Sequence, residues 1–107
     1  MNIYDKIRDF WNEQPCGSTH MDYPLGSKEY FDNFDPYYID LYPYLLPFID
    51  LVSLKGKTVM EIGLGSGVTL HRISEVADKC YGLDISDKTI ELNERRKELY
   101  GLKYELI

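Results

Sequence analysis

The stretch that constrains this chain most is Val59-Met60-Glu61-Ile62 running into Gly63-Leu64-Gly65-Ser66-Gly67. Thr58-Val59-Met60 and Ile62 are apolar or β-branched without strict alternation, which suits a parallel strand covered on both faces. Three glycines between 63 and 67 then let the chain turn sharply and bring bare backbone against a ligand. Residues 68–76 read as an amphipathic helix, whose free N–H groups and positive dipole end face whatever the turn holds. Seventeen residues past Gly67, a second apolar strand, Tyr81-Gly82-Leu83, ends in Asp84. An acid so placed accepts hydrogen bonds from ribose hydroxyls. The pattern predicts an α/β fold with a nucleoside-cofactor site at the strand ends.

Glycine spacing narrows the cofactor. A dinucleotide fingerprint needs glycine at 63, 65 and 68, but position 68 is Val and the third glycine comes at 67. This G-x-G-x-G, preceded by Glu61, resembles motif I of class I S-adenosylmethionine-dependent methyltransferases. Tyr81-Gly82-Leu83-Asp84-Ile85-Ser86 resembles their second motif. The resemblance to their core fold covers residues 54–107 and implies a Rossmann-like parallel sheet of which only the first three strands are present. It also implies S-adenosyl-L-methionine as cofactor and a small-molecule acceptor. On this resemblance Gly63, Gly65, Ser66 and Gly67 lie against the methionine end of the cofactor, and Glu61 helps to hold the loop and the amino end. Asp84 binds the ribose and Ile85 packs on adenine. A nicotinamide-dependent oxidoreductase is a competing reading, disfavoured by Val68, and a non-catalytic cofactor-binding module is a third.

Charge separates the two halves. Net charge is −6, and residues 1–54 hold three basic and nine acidic side chains, against nine of each in residues 55–107. An acidic surface repels phosphate backbones, so nucleic acid is excluded as a partner and a small molecule is favoured. Twelve of the fifteen aromatic residues also lie before residue 55. The expected organisation is an aromatic-rich helical cap over residues 1–54 and a partial cofactor-binding domain over 55–107. The aromatics are expected to form the packing layer between cap and sheet, with Tyr23, Tyr30 or Tyr37 as candidates for the pocket wall. Phe10-Trp11-Asn12, Pro15-Cys16-Gly17 and Gly26 to Asp32 look like the N-terminal extension of a group of bacterial class I methyltransferases.

Along the first half, residues 3–12 read as a helix with Ile3, Ile7, Phe10 and Trp11 toward the protein, ending before Pro15. Residues 13–27 are turn-rich, long enough for either a lid or a simple tether. Ser27 is a candidate N-cap, Asp35-Pro36 looks like a second helix start, and Pro43 and Pro47 predict short pieces through Leu51.

In the second half, Leu70, Ile73, Val76 and Ala77 form a packing face, which leaves His71 and Arg72 toward solvent. Ser86 caps a helix that carries Ile90, Leu92 and Leu99 and stops at Gly101. Arg95-Arg96-Lys97 reads as a solvated face near the negative helix end, and residues 103–107 alternate as a third strand.

Cys16 and Cys80 have no metal-ligand spacing and no disulfide framework, so no metal is expected. The charged N-terminus lacks a signal-peptide core and no apolar run reaches a membrane span, so the cytoplasm is the expected compartment, with no membrane partner. Right-handed crossovers place the strands in the order three-two-one, with the first at an open edge. That edge has no lysine or proline to blunt pairing, and self-association through it is expected. The later strands and acceptor loops of the family are missing, so the chain reads as an N-terminal portion of a larger enzyme. No residue stands out as a general base, and the catalytic residues are unassigned.

Overall fold

The computed structural model describes residues 2–13 and 22–107. Helix α1 spans Ile3–Glu13, α2 Lys28–Leu41 and α3 Leu45–Ile49, followed by a 3-10 turn at Leu51–Leu54. Then come β1 (Thr58–Ile62), α4 (Val68–Ser74), β2 (Lys79–Leu83), α5 (Asp87–Tyr100) and β3 (Glu105–Leu106). The strands form an open parallel sheet in the order β1-β2-β3, with Thr58 opposite Lys79 and Tyr81 opposite Glu105. This is an α/β fold, and β1 lies at an edge as expected.

The layering differs from expectation. Helices α4 and α5 cover one sheet face: Leu70, Ile73 and Ile90 pack with Cys80 and Leu64. On that face Gly82 leaves room for Leu70, Leu64 and Leu106, whose methyls would lie 2.8–3.0 Å from any Cβ there. The other face is uncovered, and Met60 and Ile62 are 50% and 74% exposed. Strand β1 is therefore not covered on both faces. Both crossovers deliver their helices to the same side, and among the described residues no element packs on the opposite one.

The aromatics pack on the helices rather than directly on the sheet. Tyr30, Phe31 and Phe34 of α2 form a core with Val68 of α4 and Leu92 of α5. Tyr30 stacks on Phe34 at 5.4 Å between ring centroids. The sheet, the α4–α5 layer and α2 thus succeed one another.

Helix α2 is continuous through Pro36, so Asp35-Pro36 is not a helix start. An interior proline costs about 3 kcal/mol. Burial of Phe34 in the core and the pairing of Asp35 with Arg96 of α5, both just before Pro36, hold the helix in place against that cost. Ser27 caps α2 by accepting from the Tyr30 N–H at 3.1 Å. After Pro43 the chain breaks into α3 and the 3-10 turn, joined at Asp50 in left-handed geometry (φ 52°).

Helix α4 stops at Ser74, short of the expected Val76. The Val76 and Ala77 amides both bond to the Ile73 carbonyl, which tightens the chain toward the Lys55–Ala77 bridge. Ser86 and Gly101 cap α5 as expected, Ser86 by accepting from Thr89 N–H and Gly101 with φ 63°. No residue of α1 is buried: Ile3, Ile7, Phe10 and Trp11 are 62%, 40%, 54% and 39% exposed. The helix docks instead through Asn12, whose Oδ1 accepts from Ser86 Oγ at 2.7 Å and Lys88 N–H at 3.2 Å. Cys16 and most of the 13–27 connection lie outside the described residues. Among the described residues no helix is long and apolar enough to cross a membrane, and no cluster of metal-ligating side chains occurs.

Candidate functional site

At the carboxyl ends of β1 and β2 the chain leaves an open cleft of about 1020 Å³. That is at the upper end of the roughly 300–1,000 Å³ typical of small-molecule sites. Its floor is the glycine turn, one end is Asp84 and Ile85, and its outer wall is the C-terminal part of α2 with α3. Glu61, Gly63, Gly65, Ser66, Gly67, Asp84 and Ile85 all line this cleft, so residues that are 24 positions apart in sequence meet at one place.

The turn is held from below by its own backbone and by three helices. Gly63 N–H extends the ladder to the Leu83 carbonyl at 2.8 Å, and Gly67 N–H closes onto the Leu64 carbonyl at 3.0 Å. The Gly65 carbonyl accepts from Asn93 Nδ2 at 3.0 Å and the Ser66 carbonyl from Arg96 Nε at 2.8 Å. The Gly67 carbonyl accepts from His71 N–H at 2.9 Å. Every carbonyl from Leu64 to Gly67 is thus turned back into the protein. Among the described residues the Gly65 N–H has no protein acceptor, and it is one backbone donor available to a ligand.

The left-handed geometry at Gly63, Gly65 and Gly67 (φ 82°, 56° and 89°) explains the residue type. A Cβ at Gly63 meets nothing within 4 Å, whereas one at Gly67 falls 2.1 Å from Asn93 Oδ1. Gly67 is therefore a packing glycine.

Asp84 does more than wait for a ligand. Its Oδ2 accepts from Leu64 N–H at 2.8 Å and its Oδ1 from Ser86 N–H at 2.9 Å. The carboxylate therefore ties the glycine turn to the loop after β2, and each oxygen keeps a second lone pair for a ligand. Glu61 lies on the helix-facing side of β1, half-buried, and its carboxyl is pushed up to about 7 by burial. Among the described residues no hydrogen bond or ion pair compensates that burial. Ile85 is 44% exposed at the cleft rim. Ser66 is buried, and its hydroxyl bonds to Tyr30 OH at 2.7 Å. Of the three candidate tyrosines, Tyr37 lines the cleft, Tyr30 stands buried behind the turn, and Tyr23 is 43% exposed.

Arg96 and His71 correct the sequence reading. Both were expected on solvated faces, yet Arg96 is fully buried and His71 is 8% exposed. The Arg96 guanidinium makes two bonds of 2.8 Å to the Asp35 carboxylate and lies 4.3 Å above the Phe31 ring. Its Nη1 also meets His71 Nδ1 at 2.9 Å. A guanidinium only donates, so His71 accepts at Nδ1 and carries its proton on Nε2. Burial, with the Arg96 charge second, holds the His71 pKa below its ordinary value. One buried cation thereby joins α2, the glycine turn, α4 and α5. The signal for it is periodicity: Thr89, Leu92, Asn93, Arg96 and Tyr100 fall on one helical stripe. Cys80 is a buried free thiol whose pKa burial pushes up to about 11, consistent with an inert core position.

No protein-family model matches the chain, and no curated protein and no solved structure matches it.

Proposed function

We propose that the chain binds S-adenosyl-L-methionine on a Rossmann-like sheet and is the cofactor-binding part of a cytoplasmic small-molecule methyltransferase. The observation that carries this reading is the joint placement of the glycine turn and Asp84 in one cleft at the ends of two parallel strands. Ligands of open α/β sheets lie in that position. The residues fit the cofactor: Gly65 N–H has no acceptor among the described residues, Asp84 keeps lone pairs for the ribose, and Ile85 offers an apolar rim for adenine. Glu61 suits the amino end, because a cation beside it would compensate a buried carboxylate. Among the described lining residues none is basic, which favours a ligand carrying a sulfonium cation.

When bound, S-adenosylmethionine supplies an electrophilic methyl group. The chain's own contribution is to bind, orient and exclude water, which can account for much of the acceleration in a direct displacement. Rigid anchoring of the turn by Asn93, Arg96 and Asp84 serves that orientation.

The test is calorimetric titration with S-adenosylhomocysteine and, separately, NAD, on the chain and on Asp84→Ala. The homocysteine compound is expected to bind, NAD is not, and Asp84→Ala should lose about 1–3 kcal/mol of affinity with the charge-assisted bonds. Binding of NAD alone would favour an oxidoreductase, and equal affinity in Asp84→Ala would remove the ribose role.

A further inference from the structure

Resting on the methyltransferase reading, we propose that the acceptor in the outer half of the cleft is a small amine with an apolar, ring-sized body, and that carboxylated or phosphorylated molecules are refused. The inner half, over the glycine turn and beside Asp84 and Ile85, is the cofactor's share of the 1020 Å³. The remaining wall is Tyr37, Tyr38, Leu41, Tyr42, Leu45 and Ile49. Leu41 and Tyr42 stand 53% and 51% exposed there, an apolar surface that a ligand would cover.

Charge decides the polar end of that ligand. Among the described lining residues the charged side chains are Glu61 and Asp84, both acids, with no lysine, arginine or histidine. Arg96 and His71 lie close behind the turn, but Arg96 is fully buried and committed to Asp35, Ser66 and His71. The excess negative charge of the chain, net −6, also resides in residues 1–54, which furnish this wall. An anion entering the cleft would shed water without meeting a counter-charge. An ammonium group in the outer half is favoured by the field of Asp84 and of the acidic residues of 1–54, and finds tyrosine rings in the wall.

Three para-substituted phenols of one ring size separate the possibilities: tyramine, 4-methylphenol and 4-hydroxyphenylacetate. Each is titrated calorimetrically into the full chain, with and without saturating S-adenosylhomocysteine. Tyramine is expected to bind at least about tenfold more tightly than 4-hydroxyphenylacetate, with 4-methylphenol between them. Leu41→Arg, which sets a cation in the wall, is expected to narrow or invert that ratio. The proposal is overturned if the acid binds as tightly as the amine, if none of the three binds, or if Leu41→Arg leaves the ratio unchanged. Failure of S-adenosylhomocysteine to bind, with the amine preference intact, overturns the methyltransferase reading and leaves the cleft's selection of cations standing.

Discussion

Arg96→Met is the perturbation that weighs most on this structure. The substitution keeps length and apolar bulk while removing two 2.8 Å bonds to Asp35, one to the Ser66 carbonyl and one to His71. The Asp35 side chain is 12% exposed, so its carboxylate would stay largely desolvated with no partner. Breaking a buried ion pair on one side costs about 3–5 kcal/mol. Orphaning the Ser66 carbonyl adds about 1–3 kcal/mol where water cannot reach it. A domain of this size has about 5–15 kcal/mol in total, so the variant should be close to unfolding.

Asp35→Leu alone should be comparably damaging, because it strands the cation. The double variant Asp35→Leu/Arg96→Met should lose at least about 2 kcal/mol less than the sum, since neither charge is then buried unpaired. Urea unfolding of the four proteins, followed by circular dichroism, completes the cycle. A loss under about 1 kcal/mol in Arg96→Met, or strict additivity in the double variant, would refute the claim that this pair holds the turn. Where Arg96→Met stays folded, the His71 pKa should rise toward 6.5 as the neighbouring cation disappears, a change visible in an NMR titration.

Gly67→Ala should destabilise by at least about 2 kcal/mol, because its Cβ would fall 2.1 Å from Asn93 Oδ1 at φ 89°. Gly63→Ala, whose Cβ meets nothing within 4 Å, is the control and should cost only the strain of its dihedral, about 1–2 kcal/mol in thermal melts. Folded Glu61 keeps its proton up to about pH 7, whereas the unfolded chain releases it near 4.5. The folded form therefore holds more protons across that window, and Glu61 should lower stability by up to about 3 kcal/mol as pH rises through it. Denaturation profiles of Glu61→Gln should lack that component. The edge of β1, with Met60 and Ile62 exposed, should drive concentration-dependent association. Sedimentation showing a monomer at every concentration would argue against it.

Much of the local structure was legible in the sequence because it is set by near neighbours. The turn at Gly63, Gly65 and Gly67 follows from the residue type that left-handed geometry favours. Ser27, Ser86 and Gly101 act where capping chemistry puts them, and consecutive parallel strands lie side by side as neighbours in sequence commonly do. The position of Asp84 beside the turn was also legible, since a strand–turn–helix–strand unit leaves little freedom in where its second strand ends.

Only the tertiary structure decided what each charge does. Arg96 and Asp35 each looked like an ordinary polar residue, the one in a basic triplet and the other before a proline. Each in fact occupies a buried helical stripe, beside Leu92 in α5 and beside Phe34 in α2, 61 residues apart. A lone charge on such a stripe is costly, and a pair is tolerable only when the fold brings both to bonding distance. That requirement also carried α2 straight through Pro36, against the local preference. The same holds for the two faces of the sheet. An apolar run in β1 states that a strand can be covered, but which face receives a helix depends on where both crossovers return, and here both return to one side. Propensity and turn chemistry act over a few residues, whereas desolvation is set by whatever the rest of the chain places alongside.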